Sequence, residues 1–543
     1  KKDDMKEVIL HYEDKYIPIE RKDTRMTLPM KKVATSQFHD YYEAQLQMHL
    51  ICLRYFFEFT DMQGEKVYYG NYEFDKECIT NRDRMFDCPQ NLREEEMFEV
   101  PQWAANKVVY QIFPSRFATT QPVDKELWYK APITPMDDLH GNLRGIIEHL
   151  DYIKDLGIDV VYLTPIFKSN SCHKYDTIDY YQVDPSFGTT EDLKELVQKS
   201  HERGMKVVLD AVYNHSGREF FAFQDILEKG EKSKYLDWYF IDELPPRGEW
   251  GEIPNFKCFG YYGGMPKLNL KNPEVEKYIT DVACYWIKEC DIDGWRLDVG
   301  DEISHFFWKN FRKAVKAVKK DMLIIGEIWH YAGDFLEGDE WDTVMNYPFY
   351  LNLIDLLADE KITVSQFVQN LGYLKGRLHK NCYPLMWNLI DSHDTARFLH
   401  LCNDNKKKQH LAAAFQLLLP GMPMIYYGDE YAMPGANDPD CRRGMYWEEE
   451  YQDKEMYEWY KRLIQVRKNH ACIVEGELAG IVTEDEEGTV VLIRKNGEET
   501  IAMIFNCSSS AKKFNEYTQK YNLLTENTFD GNVEGFDAAV IVL

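Results

Sequence analysis

Gly294-Trp295-Arg296-Leu297-Asp298 is a short apolar run that opens on glycine, carries one cation and stops on an acid, and its reading decides the fold. Seven similar runs accompany it. Upstream stand Val108-Val-Tyr-Gln-Ile-Phe113, Val160-Val-Tyr-Leu163 and Val207-Val-Leu-Asp210. Downstream come Leu323-Ile-Ile-Gly-Glu327, Asp342-Thr-Val-Met345, Leu385-Met-Trp-Asn-Leu-Ile390 and Met424-Ile-Tyr-Tyr427. Amphipathic stretches such as Thr190 to Arg203, Pro273 to Glu289 and Glu302 to Lys320 lie between them. Thr189-Thr190-Glu191-Asp192 and Asn272-Pro273-Glu274 supply N-terminal caps, a first-turn proline and early acids. Eight strands alternating with helices predict an α/β fold, the closed parallel (β/α)8 TIM barrel. An open doubly wound sheet has less support, because no GxGxxG follows the first run.

Working outward, 543 residues exceed what one hydrophobic core usually supports. Residues 1–102 alternate in strand fashion, as in Gln45 to Arg54 and Tyr55 to Thr60, with a turn at Gly64 and no long helical stretch. They predict an N-terminal β-sandwich. The barrel takes residues 103–470. The connection after its third strand, from His215 to about Asn269, has too little helical pattern for a simple crossover and predicts an inserted subdomain. Beyond the helix Met456 to Lys468, alternation returns in Thr489 to Arg494 and Thr500 to Phe505, predicting a C-terminal β-sandwich over 471–543.

The net charge of −27 argues against nucleic acid or an anionic membrane as partner, since phosphates require Lys and Arg. A neutral polymer meets no such objection, and 36 Tyr and 12 Trp offer flat rings for sugar faces, although most will be core. The longest apolar run, Ala412 to Met424, is broken by Gln416, Pro420, Gly421 and Pro423, so no membrane span is expected. No signal peptide is visible, while a start on Lys rather than Met leaves room for a trimmed leader. Twelve cysteines without a CxxC pair, Cys172, Cys258, Cys284, Cys290 and Cys402 among the barrel segments, read as free thiols and favour the cytoplasm.

Chemistry in such a barrel sits where the strands end. Those ends carry Asp210, Asp298, Glu327 and the pair His393-Asp394. One strand-end acid is usually a cap; several on one rim repel each other and are kept for metals or acid/base work. Acids ending the adjacent fourth and fifth strands lie near the roughly 5 Å separation that retaining glycosidases need. Arg296, two residues before Asp298, shares its face and is expected to hold that acid ionised. Glu327, after Leu323-Ile-Ile-Gly and near Trp329, is expected in an apolar surround that keeps it protonated. Asp394 would tune that acid by repulsion. A metal-dependent hydrolase would want an early His-x-His, which is missing; His215 and His393 read as hydrogen-bond donors to sugar rather than ligands.

At these residues the sequence resembles the α-amylase superfamily over nearly its full length. Asp210-Ala-Val-Tyr-Asn214-His215 is similar to its first signature, Gly294 to Asp298 to the nucleophile segment, Gly326-Glu327-Ile-Trp329 to the acid/base segment and Ser392-His393-Asp394 to the third carboxylate. Met265-Pro-Lys267-Leu-Asn269 resembles the form found in the neopullulanase, cyclomaltodextrinase and maltogenic amylase subgroup. The resemblance implies that Asp298 is the nucleophile, Glu327 the acid/base and Asp394 their assistant. It further implies sugar contacts from Asp210, Asn214, His215, Arg296, Glu302, Trp329 and His393. His173-Lys-Tyr175 resembles the segment whose Tyr stacks beside the cleaved bond, and Asp438-Pro-Asp-Cys-Arg442 the one closing the non-reducing end. A homodimer through the N-terminal domain follows from the same subgroup.

The expected activity is retaining hydrolysis of α-1,4 glucosidic bonds, with α-1,6 bonds left open, in cyclodextrins, maltooligosaccharides, starch or pullulan through a β-glucosyl-Asp intermediate. Two alternatives are a transglycosylase or isomerase of the same superfamily and an inactive glucan-binding relative; the latter conflicts with three intact carboxylates. The subgroup's Val-Ala-Asn-Glu stands here as Val299-Gly300-Asp301-Glu302, which bears on acceptor preference. No cofactor is required. Calcium is left open, because Phe117 to Asp124 lacks the Asn/Asp-rich loop of many relatives and Gly141-Asn142 replaces their Gly-Asp.

Overall fold

A computed structural model describes residues 1–18, 25–46, 50–90, 97–248 and 251–543. All eight predicted runs form strands of one parallel sheet, between Val109–Ile112 and Met422–Tyr426. The sheet closes into a barrel, since Met345 beyond the sixth strand bridges Trp387 of the seventh in parallel. Val109, Val160, Val208, Leu323, Met345 and Trp387 belong to its dry core. Register places the site: Asp210 lies opposite Arg296, and Leu297 opposite Gly326, so the acids that follow emerge side by side.

The helices hold their expected places, with one informative difference. Thr189 and Asp192 form a reciprocal capping box ahead of Thr190–Glu202, and Asn272 caps Pro273–Cys290. The next helix runs from His305 to Val318 rather than from Glu302, because the Ser304 side chain caps it. Glu302 therefore ends a 3-10 turn, Gly300–Glu302, ahead of the helix. The insertion holds the helix Phe221–Lys229 and a few isolated bridges, among them His215 to Lys267 and Tyr239 to Leu268.

Two compact units are present. One comprises Lys1–Phe98 with Thr363–Leu378; the other comprises Glu99–Ile362 and His379–Leu543. In the first, Met5–Asp14 and Cys52–Asp61 pair at the centre of an antiparallel sheet, beside the hairpin Lys31–Thr35 and Asp40–Glu43. Of the predicted strand Gln45 to Arg54, residues 47–49 lie outside the described residues, and the observed strand begins at Cys52. The helix Val364–Arg377 packs on that hairpin: Lys375 donates to the Val33 carbonyl, and Gly372 lies so close to Thr35 that no Cβ would fit. In the second unit, Glu477 to Val542 forms a six-stranded antiparallel sheet and a small two-stranded one around Ile504, Phe529 and Ile541. Among the described residues no helix is long and apolar enough to cross a membrane. All twelve cysteines are free thiols.

Candidate active site

Arg296 is the hub. Fully buried, its Nη1 donates to Asp298 Oδ1 at 2.8 Å and to Asp210 Oδ2 at 3.0 Å. Its Nη2 lies 2.9 Å from Glu327 Oε2 and 3.9 Å from Asp394 Oδ2. One guanidinium thus serves four carboxylates, and the deficit shows in the proton affinity of Asp298 and Asp210. Burial, aided by the other acids, pushes the Asp298 carboxyl well above the usual range against the pull of Arg296. Burial likewise lifts Asp210 to about 6. The pull of Arg296 expected on Asp298 is present, but burial and the three further acids oppose that single cation.

Glu327 also differs from expectation. Its surround is polar, because Oε2 accepts from the Val299 N–H at 3.0 Å beside Arg296, and Oε1 accepts from the Trp329 indole at 3.2 Å. Trp329 is 43% exposed and stacks on Tyr347 at 4.1 Å, so it presents its free face to the cleft. Asp394 reaches Arg442 at 3.4 Å, and Arg442 in turn pairs with Asp438 at 2.8 Å and donates to the His393 carbonyl at 2.7 Å.

A relay of neutral groups backs the acids. Gln111 donates its amide to His393 Nδ1 at 2.8 Å, which leaves Nε2–H to donate to the Tyr175 hydroxyl; that hydroxyl donates to Asp210 at 3.2 Å. Burial pushes His393 well down, so it stays neutral and keeps this direction. The Tyr175 ring lies parallel to His393 with centroids 5.5 Å apart, and its N–H donates to His173 Nδ1 at 3.1 Å. His215 is placed behind the site: its Nε2 bonds the Tyr175 carbonyl at 3.2 Å, its ring stacks on Phe259, and burial lowers it to about 3. Asn214 donates to Glu302 at 2.9 Å, and Lys267 joins both, with 3.1 Å to Glu302.

Hydrogen bonds and ion pairs therefore join most of the predicted residues around Arg296, while Asn214 and Glu302 cluster separately with Lys267 and His215 supports Tyr175. Sequence reading missed Tyr162, whose hydroxyl donates to Asp210 at 2.6 Å, Gln111, and Tyr347 beneath Trp329. Tyr162 and Gln111 lie within runs read only as strands; a polar atom inside a buried barrel strand was the available signal.

The arrangement offers a buried carboxyl, Asp298, beside a second buried carboxyl, Glu327, and an aromatic face, which suits attack on an acetal carbon with proton delivery to the leaving oxygen. Comparison with known proteins agrees. Residues 111–452 match the alpha amylase catalytic domain, and residues 1–90 the alpha amylase N-terminal ig-like domain. A cyclomaltodextrinase of Geobacillus thermopakistaniensis is 43% identical over 94% of this chain and 87% of its own length. Neopullulanase 2 of Thermoactinomyces vulgaris is 41% identical over 88% of this chain and 81% of its own. A solved cyclomaltodextrinase superposes with a TM-score of 0.93 at 38% identity, covering 100% of this chain and 95% of that one. The chain belongs to the α-amylase family of glycoside hydrolases.

Proposed function

We propose that the protein opens cyclodextrins and trims maltooligosaccharides by retaining cleavage of α-1,4 glucosidic bonds. The observation that carries this reading is Arg296 holding Asp298 and Glu327 together on one guanidinium, at 2.8 and 2.9 Å. In the first step Asp298 Oδ attacks the anomeric carbon, the glycosidic C–O bond breaks, and Glu327 gives its proton to the departing oxygen. In the second, Glu327 takes a proton from water or an acceptor sugar, whose oxygen replaces Asp298. Asp210, Tyr175 and His393 hold the sugar at the cleaved bond; Asp438 and Arg442 close one end, and Glu302, Asn214 and Trp329 border the acceptor side. The relatives named for cyclodextrin and pullulan support this substrate range. Chromatography of products from γ-cyclodextrin, starch, pullulan and maltotriose tests it. Rapid ring opening to maltose and glucose is expected, with panose from pullulan; no release from any of the four by folded protein would move the reading to a transferase or isomerase.

The protein works without calcium in this reading. Asn142 caps its helix through Oδ1 at 2.8 Å and turns its NH2 towards Thr119 Oγ1, Thr120 Oγ1 and the His140 carbonyl, a donor where a cation would need an acceptor. Asp124 is occupied in capping Lys125–Trp128. Equal melting temperatures in chelator and in millimolar calcium are expected; a calcium-dependent rise would refute this.

A homodimer through the N-terminal domain is supported by an aromatic face there. Phe57, Tyr69, Phe74 and Phe86 pack together on one side of the sheet, and Phe74 remains 64% exposed. Light scattering at the monomer mass would exclude it. Free thiols throughout fit the cytoplasm as location; fractionation of the native host, with activity found outside the cell, would contradict that.

A further inference from the structure

Val299, directly after Asp298, has a left-handed backbone, φ 47° and ψ 45°. A β-branched residue resists that conformation, and it persists only where neighbours over-determine it. They do so here. The Gly300 N–H donates to the Glu327 carbonyl at 3.2 Å, the Trp308 indole donates to the Gly300 carbonyl at 2.9 Å, and the Glu302 N–H returns to the Val299 carbonyl at 3.2 Å. The Trp341 ring fills the remaining side: a Cβ on Gly300 would stand 2.8 Å from it, and one on Gly326 would overlap it.

The consequence of this turn is the direction of the Val299 N–H, which meets Glu327 Oε2 at 3.0 Å. We infer that Val299 is a positioning residue for the proposed reaction, its strained turn aiming a main-chain donor that fixes the Glu327 carboxyl beside Asp298. With Oε2 occupied by this N–H and by Arg296, Oε1 is the oxygen that carries the proton, on the side where Trp329 faces the cleft. The inference rests on Glu327 as acid/base.

The test replaces Val299 with its α-hydroxy acid by nonsense suppression, which converts the N–H into an ester oxygen and keeps the side chain. On maltotriose, kcat falls roughly ten- to a hundredfold with KM unchanged, the scale of a lost bond to a charged group. The basic limb of kcat moves to higher pH, because a donor favouring the ionised carboxyl is gone. Gly300→Ala drives the turn against Trp341 and moves both readouts in the same direction; adding Trp341→Phe restores them. A merely structural role would lower Tm and leave the basic limb in place. Wild-type kcat and basic limb in the ester variant would overturn the inference, as would Gly300→Ala losing activity with no movement of the limb. Glu327→Gln, run alongside, separates the two levels. If it keeps the basic limb, the acid/base assignment falls and takes this inference with it; if it loses the limb while the ester is silent, only the role of Val299 falls.

Discussion

At the N-terminal ends of the barrel strands, Asp293 meets His201 at 2.7 Å, Lys206 at 2.9 Å, Lys319 at 3.0 Å and the Val207 N–H at 3.0 Å. Asp342, ahead of the sixth strand, meets Arg312 at 2.7 Å, Lys316 at 2.9 Å and the Ile324 N–H at 2.9 Å. At the C-terminal ends, four acids share Arg296. Burial alone would push Asp293 up, yet hydrogen bonds from His201, Lys206 and the Val207 N–H, with the charge of Lys319, hold it well below the usual carboxylate range; at the other end burial wins, and Asp298 and Asp210 rise. Both ends bury acids in one barrel. The difference teaches that surplus compensation marks the end that holds the fold, and deficit the end that works.

The sharpest way to break this contrast is to remove one acid from each end. Asp298→Ala is expected to cost about four orders of magnitude or more in kcat on maltotriose, with Tm unchanged or raised as repulsion is relieved. Near-normal turnover would remove Asp298 from its role. Asp293→Asn should do the reverse, losing about 3 kcal/mol in urea unfolding because the part-buried Lys206 and Lys319 and the buried Val207 N–H lose a charged partner, while the folded fraction keeps its kcat. A stable Asp293→Asn with reduced turnover would erase the distinction.

The same contrast has a pH signature. Asp298 must be ionised to attack, and its carboxyl is raised, so kcat/KM should fall as pH drops through a value above the ordinary carboxylate range of about 4. Asp293 is lowered, so its contribution to stability is fully present above its unfolded value and is lost only as pH falls through the folded one. Activity is therefore expected to fail at a higher pH than the fold does, and coincident profiles of rate and circular dichroism would contradict this. A smaller effect belongs to Trp329, an uncharged neighbour of the cluster whose indole donates to Glu327. Trp329→Ala should raise KM several-fold, for roughly 1 kcal/mol of lost aromatic contact, without moving the acid limb.

Much of this was legible in the sequence, for reasons that also explain the gaps. The eight strands read correctly because short apolar runs and capped helices alternate, and the acids were found because each ends a run. The apolar pattern continues back through Glu302 and carries the expected helix with it, whereas the Ser304 cap starts the helix at His305. Gln111 and Tyr162 were hidden inside strands, where period tells which face a residue takes but not what it meets. Nothing in Val364–Arg377 announces that it joins the N-terminal unit, since an amphipathic helix does not name the surface it covers. The charge deficit at Arg296 was out of reach for a like reason: spacing placed one acid on its face, and only register brought the other three.

The measurement that bears most directly on the central assignment is trapping of the glycosyl-enzyme. Protein treated with 5-fluoro-α-maltosyl fluoride is digested, and its peptides are mapped by tandem mass spectrometry. A single maltosyl-derived adduct on Asp298, absent from Asp298→Ala, is the expected result. An adduct on Glu327 or Asp394, or none while the same protein turns over maltotriose, would contradict it.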